Sequence, residues 1–279
     1  MKRVICFGAS DGGKRLYEEI SSEYEIVAFT DNDSNKWNKE LNGITILSPD
    51  ECLKKQYDYI VITSQPGLIS IMDQLKRLRI DESIIITKYI TFELDARKEF
   101  LKQFSTFDNT FDSDGEIAEV GVFQGDFAKL MNEYFPHRRI HLFDTFEGFV
   151  EQDIKKEEKS IAKIGEYGNT SIDLVMKKMS RPEMVEIHKG YFPETATCIK
   201  DNRFLFVNLD VDLYEPTYQG LCLFSKQMLP GGVILVHDYF ARNFDGPRRA
   251  VEQFMEKHEG DKLRRVPIGD KISIMIVGF

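Results

Sequence analysis

The sequence predicts an α/β protein made of two doubly wound, parallel-sheet domains in series. Three observations carry this. Short runs rich in β-branched and aromatic residues alternate with amphipathic helical stretches, the pattern of parallel strands joined by crossover helices. The alternation stops and restarts once, across residues 89–114. Each half opens with a glycine-bearing turn and meets an acid 23 residues later at the next strand end, Gly8 to Asp31 and Gly121 to Asp144. A length of 279 residues suits two such units.

In the first half, residues 3–8, 25–30, 58–63 and 83–87 read as strands buried on both faces. Between the last two, Leu68, Ile71, Met72, Leu75 and Leu78 share one helical face. Residues 91–107 predict a helix with Phe92, Ala96, Phe100, Phe104 and Phe107 as its apolar stripe, followed by a polar turn. The domains are therefore expected at 1–88 and 115–279, with 89–114 as a helical connector. The second half has strands at 116–121, 139–144, 184–188, 204–210 and 232–237. A helix lies between the first two, with Phe127, Leu130, Met131, Tyr134 and Phe135 on one side. Pro216 and Pro247 stand where helices begin, since the first helical N–H needs no partner. The C-terminal stretch predicts an antiparallel hairpin around Gly269-Asp270. Residues 150–182 are polar and charge-mixed, and read as an insertion or lid in which Gly165, Glu166, Tyr167 and Gly168 close over substrate.

Composition narrows the function. Hydrophobic residues make up 42% and charged residues 30%, as in a globular protein, and the net charge of −9 argues against a nucleic-acid coat or an anionic-membrane binder. No apolar run approaches the ~20 residues of a membrane span. The four cysteines are scattered without a CxxC pair, which argues against a disulfide framework or zinc site and suits a cytoplasmic protein. A homo-oligomer is compatible with the sequence.

Gly8-Ala9-Ser10-Asp11-Gly12-Gly13 places glycines where a helix N-terminus could approach a nucleotide, with Asp31 for ribose hydroxyls. Ser10 replaces the second glycine of the GxGxxG pattern, and a tight strand-to-helix turn is the alternative. In the second loop, Glu119 precedes Gly121 and Gly125, an arrangement for a ligand with an amine-bearing tail and a ribose bound by Asp144. A third group, Asp210, Asp212 and Glu215, closes one strand, and His237-Asp238 closes the next. Converging carboxylates repel unless protonated, solvated or bridged by a cation, so a divalent metal, Mg²⁺ foremost, is expected there.

These motifs resemble a known family. AEVGVFQGDFAKL, HLFDTFEGF, YGNTSIDLV, KGYFPET, LDVDLYEPT, LPGGVILVHDY and GPRRAVEQF, in that order across residues 115–279, resemble the macrocin-type (TylF-like) O-methyltransferases. The resemblance implies a class I methyltransferase fold and transfer of a methyl group from S-adenosylmethionine to a sugar hydroxyl. It implies that Gly121 and Gly125 cradle the methionine part, with Glu119 near its amino group. Asp144 would hold the ribose, and Gly190 and Tyr191 would line the adenine side. Asp210 and Asp238 would be metal ligands, with His237 standing where the family usually has a further Asp. Asp210 is favoured over Asp212 as the ligand. Asp210 and His237 are the expected catalytic pair, the latter because an unperturbed imidazole titrates near neutrality. FGASDGGKRLYEEI, VAFTDNDSNKW, LNGITILSPDE and YDYIVITS resemble the small Rossmann-like domains that precede bacterial nucleotide-sugar-modifying enzymes, implying a sugar or sugar-nucleotide partner. Two other readings stay open: an NAD(P)-linked sugar-nucleotide enzyme, and a non-catalytic sugar-nucleotide binder with a degenerate methyltransferase domain.

Overall fold

The computed structural model describes residues 1–65, 67–111, 114–152, 154, 162–241 and 245–279. The chain divides into two compact units, Met1–Glu93 and Leu94–Phe279. The first is built from β1 (Arg3–Phe7), α1 (Asp11–Glu23), β2 (Glu25–Thr30), β3 (Glu40–Leu41), β4 (Ile44–Leu47), α2 (Pro49–Cys52), β5 (Tyr59–Ile62), α3 (Leu68–Arg77) and β6 (Ile85–Ile86). Its sheet runs β3-β4-β2-β1-β5-β6, parallel except for β3 against β4. Val4, Ile5, Cys6, Ile60, Val61 and Ile62 are fully buried, which explains why β1 and β5 read as unbroken apolar runs.

A helix, α4 (Lys88–Ser105), crosses the division between the units. Its second half is core of the second unit: Leu101 is fully buried, and the Phe104 ring lies 5.7 Å from that of Phe206. The stretch read as a connector therefore supplies packing. The ends of its expected apolar stripe, Phe92 and Phe107, are exposed.

The second unit contains β7 (Gly115–Val120), α5 (Asp126–Tyr134), β8 (Ile140–Asp144), α6 (Ile172–Met176), β9 (Val185–Lys189), β10 (Arg203–Leu209), α7 (Tyr214–Phe224), β11 (Met228–Val236), α8 (Gly246–Lys257), β12 (Arg264–Pro267) and β13 (Ile274–Val277). Its sheet runs β12-β13-β11-β10-β7-β8-β9. Counted from β7, that is the order 3-2-1-4-5-7-6, parallel until β13 enters antiparallel beside β11 and closes the terminal hairpin with β12. Both units are Rossmann-like, and the second has the class I methyltransferase arrangement. Two apolar clusters cover the faces of this sheet, one around Phe143, Phe204 and Phe224, the other around Phe135, Phe206 and Leu235. The strand order reverses at β7, so the crevice beyond the carboxyl ends of β7 and β10 is where this architecture takes a ligand. No helix among the described residues is long and apolar enough to cross a membrane.

Candidate active site

The second glycine loop is shaped by close approach. Gly121 has φ +85°, and its N–H donates to the Phe143 carbonyl at 2.9 Å. A Cβ there would lie 1.9 Å from the Asp210 carbonyl oxygen, so the end of β7 passes the end of β10 with room only for hydrogen. Gly125, at φ +77°, caps α5, where a Cβ would press on Val175 at 2.9 Å. Asp144 braces this loop. Its Oδ2 accepts the N–H groups of Val122 at 2.7 Å and Phe123 at 2.9 Å, and its Oδ1 accepts that of Phe146 at 2.7 Å. A carboxylate offers about four acceptor positions, so roughly one remains for a ligand hydroxyl. Gly190, at φ +137°, donates its N–H to the Asp144 carbonyl at 2.9 Å. Gly190 and Tyr191 line an open cleft with Thr145 and Lys189 on the same side.

Glu119 is buried, 1% exposed. Its Oε1 accepts from Asn208 Nδ2 at 2.8 Å, while Oε2 has no hydrogen-bond partner among the described residues. Burial pushes its carboxyl up to about 8, with the Asp210 and Asp144 charges adding to the rise and Arg97 and Asn208 opposing it. A buried acid with an orphaned oxygen and a raised pKa is mostly protonated near neutrality and is poised to ionise against a cationic ligand group.

The strand ends of β10 and β11 bring three of the expected residues together. His237 Nδ1 lies 3.0 Å from Asp210 Oδ1 and 2.8 Å from Asp238 Oδ2. Arg97 Nη2 lies 2.9 Å from Asp210 Oδ2 and donates to Asn208 Oδ1 at 2.8 Å. Burial acts to raise the Asp210 carboxyl, but His237 and Arg97 outweigh it and hold it well below the usual range. Burial likewise opposes the His237 charge, and Asp210 and Asp238 overcome it, pushing the imidazole up to about 10. In this arrangement His237 is an imidazolium near neutrality and donates, so its fitness as a base on the strength of an unperturbed value does not carry over. Asp212 behaves oppositely: burial, then the charge of Asp238 and a hydrogen bond to it, push its carboxyl well above the usual range. Asp212 and Asp238 both sit at positive φ, +57° and +58°, conformations that Asp tolerates better than most residues.

Arg97 escaped the sequence reading. It lies three and four residues before Phe100 and Leu101, on the stripe that enters the core, and a charge on such a stripe was the signal to follow. Within the insertion, the Tyr167 ring stands edge-on to Phe123 at 5.6 Å and to Phe149 at 5.4 Å. Burial and then the charge of Asp212 push its phenol up. Phe149, Ile154 and Ala162 pack on Leu213, next to Asp212. Residues 153 and 155–161 of the expected lid lie outside the described residues.

In the first unit, Asp31 already faces a cation, and its Oδ1 accepts the Asp33 N–H at 2.9 Å. Its Oδ2 accepts the Ala9 N–H at 2.8 Å and pairs with Lys36 Nζ at 2.9 Å, and Lys36 also donates to Ser10 Oγ at 2.6 Å. Gly12 and Gly13 are explained by helix-to-strand packing, since a Cβ would lie 2.1 Å from the Thr63 carbonyl oxygen and 2.4 Å from that of Gly8.

Comparison with known proteins bears on the fold and the family. Residues 1–86 match the C2185-like N-terminal family, and residues 95–266 match the Macrocin-O-methyltransferase (TylF) family. An 8-demethyl-8-(2,3-dimethoxy-alpha-L-rhamnosyl)-tetracenomycin-C 4'-O-methyltransferase of Streptomyces olivaceus is 26% identical over 157 residues, 52% of this chain and 59% of that protein's length. Among solved structures, the O-methyltransferase NovP is similar with a TM-score of 0.55 and 22% identity, over 64% of this chain and 78% of NovP. The calicheamicin methyltransferase CalS11 is similar with a TM-score of 0.53 and 18% identity, over 77% of this chain and 85% of CalS11. The match over most of the second unit shows that this chain belongs to the macrocin O-methyltransferase (TylF) family.

Proposed function

We propose that this protein transfers a methyl group from S-adenosylmethionine to a hydroxyl of a sugar or glycoside. The observation that carries the reading is the unpartnered Glu119 oxygen beside the glycine loop, one strand from the Asp210–His237–Asp238 group. Glu119 meets the methionine ammonium, Gly121 and Gly125 allow the tail to approach the backbone, and the remaining acceptor position of Asp144 takes a ribose hydroxyl. Gly190 and Tyr191 flank the adenine. The acceptor hydroxyl is oriented by Asp210, which is held ionised. The O–C bond forms as the S–C pair returns to sulfur, and the hydroxyl proton, made acidic by the transfer, passes to the ionised Asp210 carboxylate. The names of the Streptomyces relative and of CalS11 support a sugar acceptor, since one methylates a rhamnosyl group and the other is described as a TDP-rhamnose 3'-O-methyltransferase.

Once His237 gives up its Nδ1 proton the donor set also fits a divalent cation, because His237 Nδ1 and one oxygen each of Asp210 and Asp238 all lie within 4.8 Å of one another. Bound there, a cation would lower the pKa of the acceptor hydroxyl. One nitrogen with two oxygens is a softer set than the all-oxygen shell Mg²⁺ takes, so Mn²⁺ is expected to bind at least as well as Mg²⁺. His237→Asp is expected to shift the preference toward Mg²⁺, read by calorimetric titration of each metal in turn. An unchanged ratio of affinities removes His237 from the ligand set.

The direct assay incubates the protein with S-adenosylmethionine, Mn²⁺ or Mg²⁺ and a panel of nucleotide sugars and glycosides, and reads a one-methyl mass gain. Failure to bind S-adenosylhomocysteine under any of these conditions overturns the reading. The Glu119 role has its own signature. With its carboxyl near 8 in the free protein, the fraction ionised falls about tenfold per pH unit below that value. S-adenosylhomocysteine affinity is therefore expected to rise about tenfold per unit from pH 6 toward 8, then level off, with one proton released on binding. Glu119→Gln is expected to bind more weakly and without that slope. Calorimetry in buffers of different ionisation enthalpy measures both.

A further inference from the structure

We propose that Arg97 is a positioning residue for the transfer, locking the cofactor-side carboxylate and the acceptor-side carboxylate into one frame. The proposal rests on the methyl-transfer reading above. Arg97 is 5% exposed, and its guanidinium lies 4.1 Å from the Phe127 ring centroid, which fixes its plane. One nitrogen, Nη2, serves two acceptors, Asn208 Oδ1 at 2.8 Å and Asp210 Oδ2 at 2.9 Å. Asn208 passes the constraint on, because its amide nitrogen then faces Glu119 Oε1 at 2.8 Å. The result is a continuous chain, Glu119–Asn208–Arg97–Asp210–His237–Asp238, running from the glycine loop to the acid group.

Each link has a physical reason to depend on Arg97. An Asn side chain presents an acceptor on one side and donors on the other. The cation at Oδ1 forces the donors toward Glu119. Without it the amide is free to turn, and its oxygen would then oppose the Glu119 carboxylate. Asp210 has two oxygens, and Arg97 occupies the one that does not face His237. This sets the carboxylate's rotation and leaves Oδ1 directed at the other strand end. A lysine could supply the charge but has no guanidinium plane to lie over the Phe127 ring, so nothing would fix the direction of its donors toward both acceptors. Arg97 itself touches neither of the reacting atoms in this account; it acts through Asp210 and Asn208.

Two variants separate charge from geometry. Arg97→Lys keeps the cation and loses the plane held against Phe127. It is expected to lower kcat about 10- to 100-fold with KM for the acceptor within about threefold of wild type, and to leave the pH profile of S-adenosylhomocysteine binding in place. Arg97→Gln loses the cation, which in the wild type opposes the rise of the Glu119 carboxyl. Its binding profile is expected to move to higher pH as well as its kcat falling. A role confined to stability would lower the melting temperature of both variants and leave kcat per folded molecule and the binding profile unchanged, and that result overturns the proposal. If Arg97→Gln fails to fold, the kcat and KM of Arg97→Lys decide. A wild-type protein that binds no S-adenosylhomocysteine overturns the methyl-transfer reading itself. One that binds it normally, with both variants indistinguishable from it, overturns only the role of Arg97.

Discussion

Asp210→Asn is expected to cut methyl transfer about 10²- to 10⁴-fold while leaving S-adenosylhomocysteine affinity within a few-fold of wild type. The substitution keeps size and shape and removes the negative charge that Arg97 and His237 share. It is felt chiefly on the acceptor side: Glu119 touches Asn208 and not Asp210, so the cofactor side loses only the Asp210 charge that helps raise its carboxyl, and the affinities are compared at pH 8 or above. Stability falls as well, and its pH dependence identifies the cause. Asp210 is depressed, so its contribution is present above about pH 4 and is lost as pH falls. His237 is raised to about 10, so its contribution is full below about 6.5 and fades as pH rises toward 10. The stability gap between wild type and Asp210→Asn should therefore be widest from about pH 4 to 6.5 and narrow above it. Denaturant titrations at pH 5, 7 and 9 measure the gap. A gap that does not change with pH would falsify the charge account.

Gly121→Ala is expected to abolish cofactor binding and to cost the fold about 3 kcal/mol or more, beyond the 1–3 kcal/mol of placing a side chain at positive φ. The added methyl would meet the Asp210 carbonyl oxygen at 1.9 Å, and that atom belongs to the backbone at a strand end, so no rotamer change relieves the contact. Gly165→Ala supplies the comparison. Gly165 has a similar φ of +78°, but nothing lies within 4 Å of where its Cβ would go. It should show the conformational cost alone, about 1 kcal/mol. Melting curves and S-adenosylhomocysteine titrations of the two variants isolate the clash. Equal losses in both would remove the close passage of β7 and β10 as the reason for glycine at 121.

The strands were legible because their burial on both faces leaves long apolar words, as in FLFVNL of β10. The β3–β4 ribbon was not, since two residues of β3 carry no periodicity. The two glycine loops show where spacing stops being informative. Both place an acid 23 residues on, yet Asp31 has the Lys36 cation beside two backbone N–H groups, whereas Asp144 contacts three backbone N–H groups. The difference lies in which side chains the following loop folds back, and that is a tertiary fact. The acid group at Asp210 and Asp238 could be read from strand ends alone, because parallel topology gathers carboxyl ends on one edge. Its charge state could not. Arg97 comes from 113 residues before Asp210 in the chain, and only the packing of α4 delivers it.

That delivery has a practical corollary for cutting the protein apart. The division between the compact units falls between Glu93 and Leu94, inside α4, and Arg97 follows within one turn. Helix ends fray, because the first four N–H groups lack partners inside the helix. A fragment started at Leu94 would put Arg97 in that loosened turn and soften the chain of contacts from Glu119 to Asp238. An excised second unit should keep the turn at Lys88–Glu93, although those residues belong to the first unit.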